Sequence, residues 1–156
     1  MKRRLFLQFG VTTILGVLSM RVAAKPDDIG KVVKTEAEWR KILTPEQFHV
    51  LRESGTEWRF TSPLLKEARK GSFACAGCEL VLFNSTAKYD SGTGWPSFYE
   101  AIPGRLELTK GESPMFGQEY HCARCGGHHG HLFNDGPKPT GMRYCENGVA
   151  VKFIPT

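Results

Sequence analysis

Cys122-Ala123-Arg124-Cys125-Gly126-Gly127-His128-His129-Gly130-His131-Leu132-Phe133-Asn134-Asp135-Gly136 is the stretch on which the fold of this chain turns. It opens on a Cys-x-x-Cys pair and runs directly into a cluster of histidines and an Asn-Asp-Gly turn. A Cys-x-x-Cys knuckle folds two sulfurs onto one cation, and a second such pair, Cys75-Ala76-Gly77-Cys78, lies upstream. Two pairs complete the tetrahedral four-sulfur shell that Zn²⁺ prefers. The long separation between them exceeds that of a simple zinc ribbon, so Cys75, Cys78, Cys122 and Cys125 are expected to join two parts of one domain. Two small-loop disulfides are the alternative in an oxidising compartment, and they match the evenly built pairs less well. A redox-active Cys-x-x-Cys is disfavoured, because neither pair opens a helix in a βαβ pattern.

The chain has five cysteines, and the one left over is Cys145, in Arg143-Tyr144-Cys145-Glu146-Asn147. A singleton cysteine is ordinarily an inert buried side chain. Its surroundings point elsewhere: His128, His129, His131, Asn134, Asp135 and Arg143 precede it closely and Asn147 follows. On a strand Arg143, Cys145 and Asn147 would share a face, and a cation beside a thiol favours the reactive thiolate. A histidine from the 128–131 segment can then deliver a proton to a leaving oxygen. Gly92-Thr93-Gly94-Trp95-Pro96-Ser97-Phe98 is the other dense segment, and by composition alone Trp95 reads as core.

At 156 residues the chain suits a single domain, and its formal net charge is +5. Lys2, Arg3, Arg4 and Arg21 supply most of that excess, leaving the remainder nearly neutral. Nucleic-acid binding, which needs a basic face, is therefore not expected. Residues 1–24 combine this basic start with an interrupted apolar run and a Val22-Ala23-Ala24 end, the pattern of a secretory signal. Arg3-Arg4-Leu5-Phe6-Leu7 resembles a twin-arginine export signal, a route that carries folded, metal-loaded proteins. The expectation is a periplasmic domain over 25–156, with no stable membrane insertion once the signal is cut.

Thr35-Glu36-Ala37-Glu38 and Thr44-Pro45-Glu46-Gln47 are capping-box starts that predict two short helices, the second stopping at Gly55. Ser62-Pro63 marks a third candidate, closed by Gly71. From Phe73 onward, short runs at 79–83, 105–108, 131–133 and 149–153, separated by Gly, Pro, Asn and Asp, predict antiparallel strands. The fold class is mainly β, with short N-terminal helices.

Three segments now carry a resemblance: Tyr89-Asp90-Ser91-Gly92-Thr93-Gly94-Trp95-Pro96-Ser97-Phe98, the Cys125 to Pro137 stretch, and Pro139-Thr140-Gly141-Met142-Arg143-Tyr144-Cys145-Glu146-Asn147. Together they closely resemble the B-type peptide-methionine (R)-S-oxide reductases, as do Leu43-Thr44-Pro45-Glu46-Gln47 and Gly55-Thr56-Glu57. The resemblance implies two antiparallel sheets and, from the paired cysteines, the zinc-containing members. It implies Cys145 as the nucleophile attacking the sulfoxide sulfur, with His131, helped by His128, acting on the sulfoxide oxygen. Arg143 and Asn147 would hold the thiolate, Asp135 would position its neighbours, and Trp95 with Phe133 would receive the substrate methyl. The implied partners are oxidised proteins bearing methionine R-sulfoxide and a thioredoxin-like or other thiol reductant, acting on a monomer.

Many members carry at the position of Thr93 a cysteine that resolves the sulfenic acid. Its absence here implies reduction of Cys145 directly by an external thiol. Glu146, Gly148 and Val149 also depart from the family's usual residues. The competing reading is a zinc-stapled β binding module without catalysis, which would have no use for a thiol beside Arg143 and paired histidines.

Overall fold

The computed structural model describes residues 29–111, 113, 115 and 117–156; the signal assigned to 1–24 lies outside the described residues. Both predicted helices form where the capping boxes place them. In α1 (Glu36–Ile42) the Thr35 side chain accepts from the Glu38 backbone N–H and the Glu38 carboxylate accepts from the Thr35 N–H. In α2 (Pro45–Glu53) Thr44 and Gln47 do the same. Each cap stabilises its helix by about 1 kcal/mol. The second helix ends one residue before Gly55, on Ser54 in the left-handed region at φ 54°. The third candidate is corrected: Ser62-Pro63 starts only a 3₁₀ turn, Pro63–Lys66, because no buried apolar face follows to extend it.

The remainder is antiparallel β. Strands β1 (Gly71–Cys75), β2 (Val81–Asn84) and β9 (Val151–Pro155) make a three-stranded sheet in the order β2-β1-β9. Strands β3 (Lys88–Tyr89), β4 (Ser97–Phe98), β5 (Leu106–Leu108), β6 (Gln118–Cys122), β7 (His128–Phe133) and β8 (Arg143–Glu146) make a six-stranded sheet ordered β3-β4-β8-β7-β6-β5. The two expected sheets are therefore present. No helix among the described residues is long and apolar enough to cross a membrane.

Aromatic side chains join the sheets. Phe73 and Phe83 from the small sheet meet Phe98 from the large one, Phe83 stacking on Phe98 at 4.2 Å and Phe73 meeting it edge-on at 4.9 Å. All three are fully buried, as is Tyr120 beneath them. Such pairs add about 0.5–1.5 kcal/mol beyond their area burial. The helices cover one end of this core. Leu51 and Phe48 are buried from α2, and Trp39 of α1 lies under the Arg52 guanidinium at 4.9 Å. Arg52 then donates to the Cys125 carbonyl at 3.2 Å, so the helical arm braces the second cysteine knuckle.

Candidate active site and metal centre

Strand register puts the nucleophile candidate and the acid candidate face to face. In β8, Cys145 lies opposite Ser97 of β4 on one side and His131 of β7 on the other. Residues directly opposite across antiparallel strands project to the same face with Cβ atoms about 4.5–5.5 Å apart. They open on a cavity of about 310 Å³ whose walls include Cys145, His131, Trp95, Phe133, Thr56 and Met115. Trp95 is half-buried here, its indole N–H donating to the Glu57 carbonyl at 3.1 Å, so one ring face remains for a ligand. The composition-based core reading of Trp95 is thus corrected to a cavity wall.

His128 joins His131 on this side through an irregularity that spacing does not reveal. A spacing of three along a regular strand would send the two rings to opposite faces. Between β6 and β7 the register runs Tyr120↔Gly130 and then His121↔His128, so β7 carries one extra residue, His129. This bulge re-aims the chain, and the His128 and His131 rings come within 5.5 Å. Burial pushes the His128 imidazole down to about 4, against the pull of Glu119, which bonds its Nδ1 at 2.6 Å. Burial also lowers His131, so both rings are neutral at pH 7.

Arg143 is held from two sides. Asp135 grips it with a two-bond fork at 2.7 and 2.9 Å, and its guanidinium lies 4.1 Å over the Phe133 ring. That grip drops the Asp135 carboxyl below its usual range. At Cys145 burial pushes the thiol up, while Arg143 and a hydrogen bond from Thr93 pull it toward thiolate. Burial outweighs both, and the net shift of the Cys145 thiol is upward, with Arg143 limiting it. Asn147 lines the cavity from just beyond the strand. Its side chain donates to the His129 carbonyl at 2.9 Å and accepts from the Glu57 N–H at 3.0 Å, so it frames the site.

The four paired cysteines come together at one point. Cys75 and Cys125 sulfurs are 3.7 Å apart and Cys78 and Cys122 sulfurs 3.5 Å apart, and all five cysteines are free. Sulfurs about 2.3 Å from a tetrahedral ion stand about 3.8 Å apart, whereas a disulfide needs about 2.05 Å. The spacing therefore fits one metal ion held by Cys75, Cys78, Cys122 and Cys125. Both knuckles have one geometry. Glu79 N–H bonds the Cys75 carbonyl and Gly126 N–H the Cys122 carbonyl, with left-handed backbone at both donors.

The SelR domain pattern matches residues 43–155, which include every one of these groups. The chain belongs to the MsrB family. It is 50% identical over 125 residues to the peptide methionine sulfoxide reductase MsrB of Leptospira interrogans serogroup Icterohaemorrhagiae serovar Lai (strain 56601), covering 79% of this chain and 95% of that one. It is 50% identical over 127 residues to MsrB of Agrobacterium fabrum (strain C58 / ATCC 33970), covering 80% and 94%. With MsrB of Methanosarcina barkeri (strain Fusaro / DSM 804) it shares 51% over 124 residues, 78% and 87% of the two chains.

Around the MsrB cavity the structure adds residues that spacing did not single out. Glu57 accepts from the Gly148 and Val149 N–H groups at 2.6 and 3.0 Å, clamping the turn after Cys145. Its only sequence signal is the Gly55-Thr56-Glu57 phrase. Glu146 is fully buried, bonding His129 Nδ1 at 2.7 Å and accepting from the Tyr120 hydroxyl at 3.0 Å. Burial pushes the Glu146 carboxyl up. At His129 burial pushes down, but Glu146, together with the nearby Cys122 and Cys125 sulfurs, outweighs it and the net shift is up. The departure at Glu146 is thus one half of a buried pair whose other half is the bulged His129. Truncation of one buried partner strands the other, so Glu146→Ala should cost about 3–5 kcal/mol in a urea titration. A loss below about 1 kcal/mol would mean that the pair contributes nothing beyond packing.

Proposed function

We propose that this chain reduces the R epimer of methionine sulfoxide in oxidised proteins, using Cys145 as nucleophile and an external thiol as reductant. The observation that carries the reading is the Cys145–His131 register pair at the wall of an apolar, Trp95-lined cavity. Neutral His131, with His128 behind it, takes the thiol proton of Cys145 and passes it to the sulfoxide oxygen as the Cys145 sulfur attacks the sulfoxide sulfur. The S–S bond made in the attack and the S–O bond of the sulfoxide then break as the protonated oxygen bonds to the Cys145 sulfur, so methionine leaves and Cys145 is oxidised to a sulfenic acid. Two external thiols, from a thioredoxin-like protein or a small thiol, then return Cys145 to the thiol as a disulfide and water form. Trp95 and Phe133 receive the methyl group, which distinguishes methyl from oxygen at the chiral sulfur. Consumption of one sulfoxide epimer, followed on a chiral column, tests the reading: loss of the S epimer at an equal rate would refute it.

The knuckle metal is assigned as Zn²⁺, because four thiolates in a tetrahedron suit it best. Closed by four sulfurs, it serves as a staple and leaves no position for substrate. Export by the twin-arginine route to the periplasm, with residues 1–24 removed, and a monomeric state complete the proposal.

Ionisation of Cys145 sets the pH profile. Because burial raises the thiol and Arg143 opposes that rise, kcat/KM should climb with pH through the alkaline range. In Arg143→Gln the midpoint should move further up; a midpoint shifted down would remove Arg143 from this role.

Thr93 touches the Cys145 sulfur, so the place of a resolving thiol is occupied by a hydroxyl. Thr93→Cys should therefore convert the oxidised enzyme from a sulfenic acid with all other thiols titratable to an intramolecular disulfide. Mass spectrometry of the oxidised proteins reads this directly, and a disulfide between Cys145 and a knuckle cysteine in wild type would contradict single-thiol turnover.

A further inference from the structure

On the face of β6 opposite the buried Tyr120 and Cys122, Glu119 and His121 project side by side, two residues apart. His128 joins them from β7, in register with His121. The Glu119 Oε1 lies 3.1 Å from His121 Nε2 and 2.6 Å from His128 Nδ1. One ligand atom from each of the three residues lies within 4.8 Å of the others. Nitrogen and oxygen ligands about 2.0–2.1 Å from a tetrahedral zinc stand about 3.3 Å apart, so displacements of about an ångström bring all three onto one ion. Two imidazoles and one carboxylate form a donor set that late first-row divalent cations bind with an open position for water. Glu119 and His121 are both partly exposed, at 30% and 24% of their side-chain surface, which gives an ion a path in from solvent.

We propose that Glu119, His121 and His128 form a second metal site, separate from the four cysteines, that binds Zn²⁺ or a similar divalent ion and arrests the reductase when filled. The arrest rests on the role of His128 and His131 given above. An ion on His128 replaces its bond to Glu119 and puts positive charge beside the His131 ring, which is 5.5 Å from His128. His131 would then meet the sulfoxide oxygen next to an ion and its bound water. No electron transfer is involved, and only ligand exchange occurs.

The full-length protein with one Zn²⁺ per chain on its cysteines is titrated with further Zn²⁺ by calorimetry. External thiols chelate zinc, so activity is read in parallel as methionine formed in a single turnover of pre-reduced, thiol-free enzyme. Wild type should bind one additional equivalent, and the single-turnover yield should fall with the same midpoint. His121→Ala should retain the zinc-free rate and need at least about tenfold more Zn²⁺ for both effects, since even a lost outer-sphere partner costs about 10–100-fold. Absence of a second equivalent in wild type, or an unchanged midpoint in His121→Ala, overturns the site. A second equivalent without loss of turnover overturns the arrest. An enzyme inactive at every zinc level refutes the proposed function instead, while the calorimetry still decides the site.

Discussion

Cys145→Ser is expected to lower kcat/KM for methionine R-sulfoxide by at least about 10³-fold, the scale on which removal of a nucleophile acts. The serine oxygen is a far weaker nucleophile at neutral pH, and the step it would have to replace is bond formation to sulfur. The fold should not respond. Cys145 is only half-buried, and the smaller hydroxyl can keep the hydrogen bond with Thr93. Thermal unfolding should therefore stay within a few degrees of wild type, roughly the shift that 1 kcal/mol produces. The measurement is the reduction of dabsyl-methionine R-sulfoxide with dithiothreitol, wild type against variant. Equal rates, or none in wild type, would overturn the assignment of Cys145.

The second large effect belongs to stability. Cys122→Ser, which removes a fully buried metal ligand, is expected to cost more than about 5 kcal/mol, because binding energy at a structural zinc site is folding energy. Cys75 ends β1 of the small sheet and Cys122 ends β6 of the large one, so an ion held by the four sulfurs ties the two sheets together. Aromatic packing of Phe73, Phe83 and Phe98 joins them as well, and Arg52 of α2 braces the second knuckle through the Cys125 carbonyl. Denaturant midpoints with and without a strong chelator should converge for Cys122→Ser and lie far apart for wild type. Wild type that unfolds at the same denaturant concentration with and without the chelator would show that the ion is not a staple.

The helices were legible because capping boxes are local: Thr35 with Glu38 and Thr44 with Gln47 state their geometry within four residues. The Cys-x-x-Cys pairs were legible for the same reason. Strands β2, β5, β7 and β9 fell close to their predicted runs. The two-residue strands β3 and β4 carry too few residues for any alternation to show, yet β4 is what flanks Cys145. The site's non-local parts escaped the sequence. His128 and His131 share a face only because of a bulge at His129, and a bulge is a relation between two strands rather than a pattern in one. Glu57 reaches the turn after Cys145 from far away in sequence. Glu146 read as an unexplained departure because its partners His129 and Tyr120 lie on two other strands.

The four sulfurs of the knuckles are not equally sheltered. Cys75 and Cys122 are fully buried and Cys125 nearly so, while Cys78 is partly open to solvent. The oxidants that make methionine sulfoxide also attack thiolates. Damage to the protein's frame should therefore enter at Cys78, and its release from the metal would loosen the β1 side first. A protein that reverses sulfur oxidation in others thus carries its own point of oxidative ageing, placed in the frame rather than at the reacting cysteine.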